Sequence, residues 1–125
     1  MGRVAAAEDK EHGVTTDVVI AQTTIDDETK AGELAGGAVE GRLAACAHID
    51  GPFTAVYRWK GDLIRDKEWR ISYKTTRARL PALAEWVKAT HSYEVPQWIV
   101  LAVDGGSEEF LSWVAQESTP STPNA

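Results

Sequence analysis

The chain has 125 residues, 43% of them hydrophobic, a formal net charge of −6 and a single cysteine, the balance of one ordinary globular domain able to bury a core without covalent staples. The lone Cys46 excludes an internal disulfide and fits a reducing cytoplasm, and no apolar run approaches the roughly 18 residues of a membrane span. The acidic balance, with Arg58, Lys60, Arg65, Lys67, Arg70 and Lys74 interleaved among Asp62, Asp66 and Glu68, argues against a nucleic-acid face built on clustered positive charge.

Residues 1–15 lack hydrophobic periodicity and read as a flexible leader, residues 16–117 as one domain, and the Ser/Thr/Pro-rich residues 118–125 as a disordered tail. Asp17–Thr23 is a short β-branched apolar run, the signature of a buried strand. Thr24 or Asp26 then supplies a helix cap, with acids in the first turn. Ala31, Leu34, Ala35, Ala38, Val39 and Leu43 follow at helical spacing. Gly36-Gly37 weaken that helix, and their smallness suggests close packing on a sheet.

From Cys46 the period changes to two. Phe53, Ala55, Tyr57 and Trp59 alternate with polar neighbours, and Gly51-Pro52 marks a bulge or an edge. Lys60-Gly61-Asp62 is a compact turn. The return arm to Thr75 carries Trp69, Ile71, Tyr73 and Thr75 on one side, with Arg70, Ser72 and Lys74 on the other. Leu80-Pro81 opens a second helix that stops near Thr90-His91. Val95-Pro96 begins a last strand through Trp98–Val103, and Ser107 caps a final helix with an apolar face at Phe110, Trp113 and Val114. The order predicts an α+β fold of the ferredoxin-like, split βαββαβ type, with a long β-hairpin and a C-terminal helix. Two helices cover one sheet face. The other face and the aromatic hairpin remain open, and closed homo-oligomerisation is the simplest remedy.

The common catalytic and phosphate-binding motifs are absent from the sequence. Cys46 reads either as a small buried hydrophobe or as a soft ligand, and His48 shares its strand face. His91 reads as a helix-terminal imidazole, followed by Tyr93 and by Glu94 at i+3, for which Lys74 is a salt-bridge candidate. Thiolate, imidazole and carboxylate together suit copper or zinc rather than magnesium. Glu94, His91 and Tyr93 are acid–base candidates with no nucleophile beside them, so an enzyme is not expected.

Leu43-Ala-Ala-Cys46, Tyr57-Arg-Trp59 with Gly61, Lys74-Thr75 and His91-Ser-Tyr-Glu-Val-Pro96 occur in the order seen in the CutA family of divalent-cation tolerance proteins, which the chain resembles from about Val18 to Val114. The resemblance implies a cytoplasmic homotrimer closed by long hairpins and a part in tolerance of divalent metals, copper in particular. It implies Cys46 and His91 as metal ligands, with Glu94 as the third. It also places Tyr57, Trp59, Lys74 and Tyr93 around a cleft between subunits. Ser92 and Gln97 depart from the family's usual Pro and acidic residue, and Ala47-His48 from its Val-Asn. The loss of a carboxylate at Gln97 removes one oxygen donor. The alternative is a signalling or scaffold trimer whose cleft takes a small anion or a protein, with Lys74, Arg58 and Tyr93 positioning the ligand.

Overall fold

Residues 17–121 are described by the computed structural model; the expected leader 1–15 and residues 122–125 of the expected tail lie outside the described residues. The elements are β1 (Val18–Ile25), α1 (Glu28–Glu40), β2 (Cys46–Trp59), β3 (Asp62–Thr76), α2 (Leu80–Thr90), β4 (Ile99–Ala102) and α3 (Glu108–Glu117). They form one antiparallel sheet in the order β2-β3-β1-β4. This is the predicted α+β, split βαββαβ arrangement.

The strand period places the core. On β1 the side chains of Ala21 and Ile25 meet Ile71 and Tyr73 of β3 under Ala31, Leu34, Ala38, Leu83 and Val87 of the two long helices. Tyr73 is fully buried, and its hydroxyl donates to the Leu34 carbonyl at 2.8 Å. Thr75 likewise donates to the carbonyl of Leu43 at 2.7 Å. Val18 points to the opposite face, where it joins Ala45, Leu111 and Val114 in a second, smaller core. The C-terminal helix therefore covers one end of the face that the sequence reading left wholly open.

Several local details differ from expectation. The cap of α1 is Asp27, whose carboxylate accepts from the Lys30 amide at 2.9 Å, rather than Thr24 or Asp26. β1 consequently runs on to Ile25. The helix ends at Glu40, after which Arg42 (φ 59) donates to the carbonyls of Gln116 in the last turn of α3 and of Thr119 beyond its end. Ser118, the first residue of the expected tail, is buried and donates to the Val114 carbonyl at 2.7 Å. Val95-Pro96 does not begin the last strand, which is only Ile99–Ala102 and forms a sheet edge. On α3 the buried residues are Leu111 and Val114; Phe110 and Trp113 lie outward, stacked on each other at 5.7 Å.

In the hairpin, Lys60 and Gly61 take positive φ (50° and 88°), the geometry of a two-residue turn. The expected irregularity at Gly51-Pro52 is a register shift between Asp50 and Phe53. Gly51 has φ 142°, and a Cβ there would sit 2.8 Å from the Trp69 ring and 2.9 Å from the Glu68 carbonyl oxygen. Only glycine fits.

The Gly36-Gly37 pair packs on a helix rather than on the sheet. A Cβ at Gly37 would lie 2.7 Å from Trp86 of α2, whereas one at Gly36 meets nothing within 4 Å. The two neighbours are therefore expected to respond with opposite sign in chemical denaturation. Gly36→Ala gains about 0.5–1 kcal/mol from helix propensity, while Gly37→Ala loses about 1–3 kcal/mol through overpacking.

Candidate functional site

The register of the hairpin decides which candidate residues can meet. Paired residues of antiparallel strands share a face, so Cys46 opposite Lys74 and His48 opposite Ser72 put Cys46, His48, Ser72 and Lys74 together on the face away from α1 and α2. Lys74 Nζ lies 3.2 Å from His48 Nδ1, and Gln22 of β1 donates to the Ser72 hydroxyl at 3.0 Å. A shallow open hollow of about 560 Å³ runs over His48, Ser72, Lys74 and Gln22.

A second groove, of about 650 Å³, lies where segment 93–97 passes the hairpin. Its walls are the rings of Phe53, Tyr57, Trp59 and Tyr93, and its polar groups include Glu68, Arg70 and Glu94. Tyr93 donates to Glu68 Oε2 at 2.8 Å, and Tyr57 donates to Asp66 at 2.6 Å. Arg70 rests its guanidinium over the Phe53 ring, 4.9 Å from the centroid. At the rim, Glu94 faces Lys60 at 3.9 Å, and both side chains are well exposed. Lys60 thus stands where the sequence reading considered Lys74 as the partner of Glu94.

The predicted cleft residues are therefore divided. Tyr57, Trp59 and Tyr93 line the aromatic groove together with Glu94, while Lys74 belongs to the other hollow. His91 caps α2 and is buried. Its Nδ1 accepts the Tyr93 amide at 3.0 Å, which leaves Nε2 to donate to the Thr24 carbonyl at 2.8 Å. Both ring nitrogens are thus occupied. Thr24 pairs with Arg70 on β3, four residues from the Lys74 level at which Cys46 sits, or about 13 Å along the strand. Cys46, His91 and Glu94 do not converge within one chain, and no group of three His, Cys, Asp or Glu able to hold a metal occurs among the described residues.

Glu68 is the site residue that the sequence reading missed. It is 6% exposed although it sits on a hairpin rich in surface charge. Counting back across the turn from Trp59–Asp62 places it opposite Phe53, and that was the available signal. Gln97, where the family resemblance expects an acid, accepts from the Thr24 hydroxyl at 3.1 Å and so serves a structural bond beside the groove.

Three tyrosine hydroxyls are pushed upward. The hydrogen bond to Asp66 raises Tyr57 to about 12. Burial raises Tyr73, and burial followed by the Glu68 bond raises Tyr93. Each keeps its proton in the fold above the ordinary value of 10.0 at which the unfolded chain loses it. Their stabilising contribution is complete below about pH 10 and is lost as pH rises further. Denaturant midpoints should fall above pH 10, and the fall should be shallower in Tyr93→Phe.

The wider comparisons agree on one family. Residues 19–117 match the family described as CutA1 divalent ion tolerance protein. A Thermus thermophilus relative named divalent-cation tolerance protein CutA is 39% identical over 95 residues, covering 76% of this chain and 92% of its own. The solved structure of CutA from Synechococcus elongatus superposes with a TM-score of 0.80 at 36% identity, over 84% of this chain and 93% of that one. A second structure of the cyanobacterial protein, described as complexed with a Bis-Tris molecule, gives a TM-score of 0.76 at 36% identity over 84% of this chain and 96% of its own.

Proposed function

The chain belongs to the CutA1 divalent ion tolerance protein family, and from that membership we propose that it serves tolerance of divalent metals, copper among them, as a cytoplasmic homotrimer that binds rather than catalyses. The observation that carries the assembly is the pair of open sheet edges. β2 and β4 end the sheet on either side. On β4, Ile99, Val100 and Leu101 are 40–45% exposed, and on the hairpin Val56 and Leu63 are exposed. Unpaired apolar edges of this kind invite further strands. A contact of the β2 edge of one copy with the β4 edge of the next is heterologous, uses both edges, and forms a closed ring when the rotation between copies closes. The family resemblance supplies the number three.

Among the described residues the donors of one chain do not form a metal centre, so a site built from Cys46, His91 and Glu94 has to be assembled between subunits. His91 can enter it only by giving up its bond to Thr24 or to Tyr93. Cys46 and Glu94 are the donors without such a cost. A cytoplasmic location is supported by the acidic composition and the single cysteine. Among the described residues no helix is long and apolar enough to cross a membrane.

The second reading, a scaffold or signalling trimer that carries a small molecule, is favoured by the aromatic groove. Its volume of about 650 Å³ is that of a small-molecule site. The Bis-Tris complex of the cyanobacterial relative supports the same view.

Sedimentation equilibrium should give about three times the chain mass of 13.6 kDa; a monomer at micromolar concentration contradicts the assembly. Anaerobic titration with copper should show Cys46→Ser weakened by at least the roughly 10–100-fold that even an outer-shell loss costs. Identical binding in wild type and variant removes Cys46 from the site.

A further inference from the structure

We infer that the groove between the hairpin and segment 93–97 is a site for a small organic ammonium ion, held between the Glu68 carboxylate and the rings of Tyr57, Trp59 and Tyr93. The inference rests on the small-molecule reading and reverses the sign of the ligand expected from the sequence.

Glu68 carries the argument. It lines the groove yet is only 6% exposed, and its hydrogen-bond partner is the neutral Tyr93 hydroxyl. The ion pairs between side chains of the described residues do not include it. A carboxylate buried to this degree is ordinarily matched by a cation, because its desolvation is otherwise uncompensated.

Two cations line or border the groove, and neither forms an ion pair with Glu68. Arg70 stacks on Phe53. Lys60 stands on the exposed rim against Glu94, with its ammonium 5.6 Å from the Trp59 ring centroid. Lys74, the residue expected to draw an anion, lies in the other hollow beside His48.

The walls select the kind of cation. Aromatic faces attract positive charge and are matched by a group with apolar substituents. A bare divalent ion needs several hard donors, whereas no cluster of three His, Cys, Asp or Glu able to hold a metal is present among the described residues. A groove of about 650 Å³ also has room for an organic ion. An alkylated ammonium satisfies Glu68 with its charge and the rings with its methyl or methylene groups.

The test is calorimetric titration of the full chain with three probes of one shape: choline, its neutral carbon analogue dimethylbutanol, and the anionic dimethylbutanoate. Choline should bind about tenfold or more tighter than the neutral probe, and Glu68→Gln should abolish that preference while leaving the oligomeric mass unchanged. Trp59→Leu, at a partly exposed position, should weaken choline severalfold and supplies a second readout if Glu68→Gln fails to fold. Equal binding of choline and dimethylbutanol overturns the inference. Preference for the anion overturns it while preserving the small-molecule reading, and no binding of any probe at millimolar concentration removes both. A fall in oligomeric mass in Glu68→Gln would assign the carboxylate to the contact between copies and likewise overturn the inference.

Discussion

The antiparallel ladder between β2 and β3, with its one-residue bulge, is the constraint on which the rest of the molecule depends. From the turn outward, Trp59 pairs with Asp62 and Phe53 with Glu68; past the bulge, Asp50 pairs with Arg70 and Cys46 with Lys74. Continued without the bulge, the first register would set Cys46 opposite Thr75, on the face beneath the helices. A one-residue slip in a strand exchanges its faces. The bulge thus keeps Cys46 and His48 on the open face while Phe53, Tyr57 and Trp59 stay beside Glu68. Gly51 makes it possible, because the Trp69 ring and the Glu68 carbonyl leave no space for a side chain.

The same ladder separates two chemistries that the sequence alone runs together. One face offers a lysine and a histidine in an open hollow, with the Cys46 thiol across the ladder from that lysine. The groove near the hairpin tip offers rings and a buried carboxylate. His91 belongs to neither as a free group. Its two hydrogen bonds join the end of α2 to β1 and to the Tyr93 backbone, so it positions the segment carrying Tyr93 and Glu94. A histidine in a recognisable motif here does structural work.

Much of the architecture was legible because it is written in period and punctuation. Alternation in the hairpin, helical spacing in α1 and α2, the Pro near the start of α2 and the Ser107 cap all correspond to observed elements. What was not legible depended on partners distant in sequence. Val95-Pro96 and the apolar run Trp98–Val103 read as one last strand, but segment 93–98 turns across the end of β1, leaving four residues to pair at an edge. Of the apolar face expected on α3, Val114 does turn inward, but that Leu111 joins it in place of Phe110 and Trp113 depends on Val18 and Ala45 lying beneath the helix. Among site residues, Tyr57, Trp59 and Tyr93 line one groove together with Glu94, which the family resemblance groups with Cys46 and His91 instead. Lys74 does not, and Glu68 is buried beside its cross-strand partner Phe53 and its hydrogen-bond partner Tyr93, the latter distant in sequence.

Both sheet edges remain open in a single chain, and the proposed assembly exists to close them. Residue-resolved amide hydrogen exchange on the native protein tests this most directly. In a lone chain, only those amides of Ile99–Ala102 that point toward β1 can be protected by the ladder. If copies pair edge to edge, the outward-pointing amides of β4 and of the outer side of β2 should exchange as slowly as those of β1, the strand between β3 and β4. Outward amides that exchange at the rate of unstructured chain would contradict it.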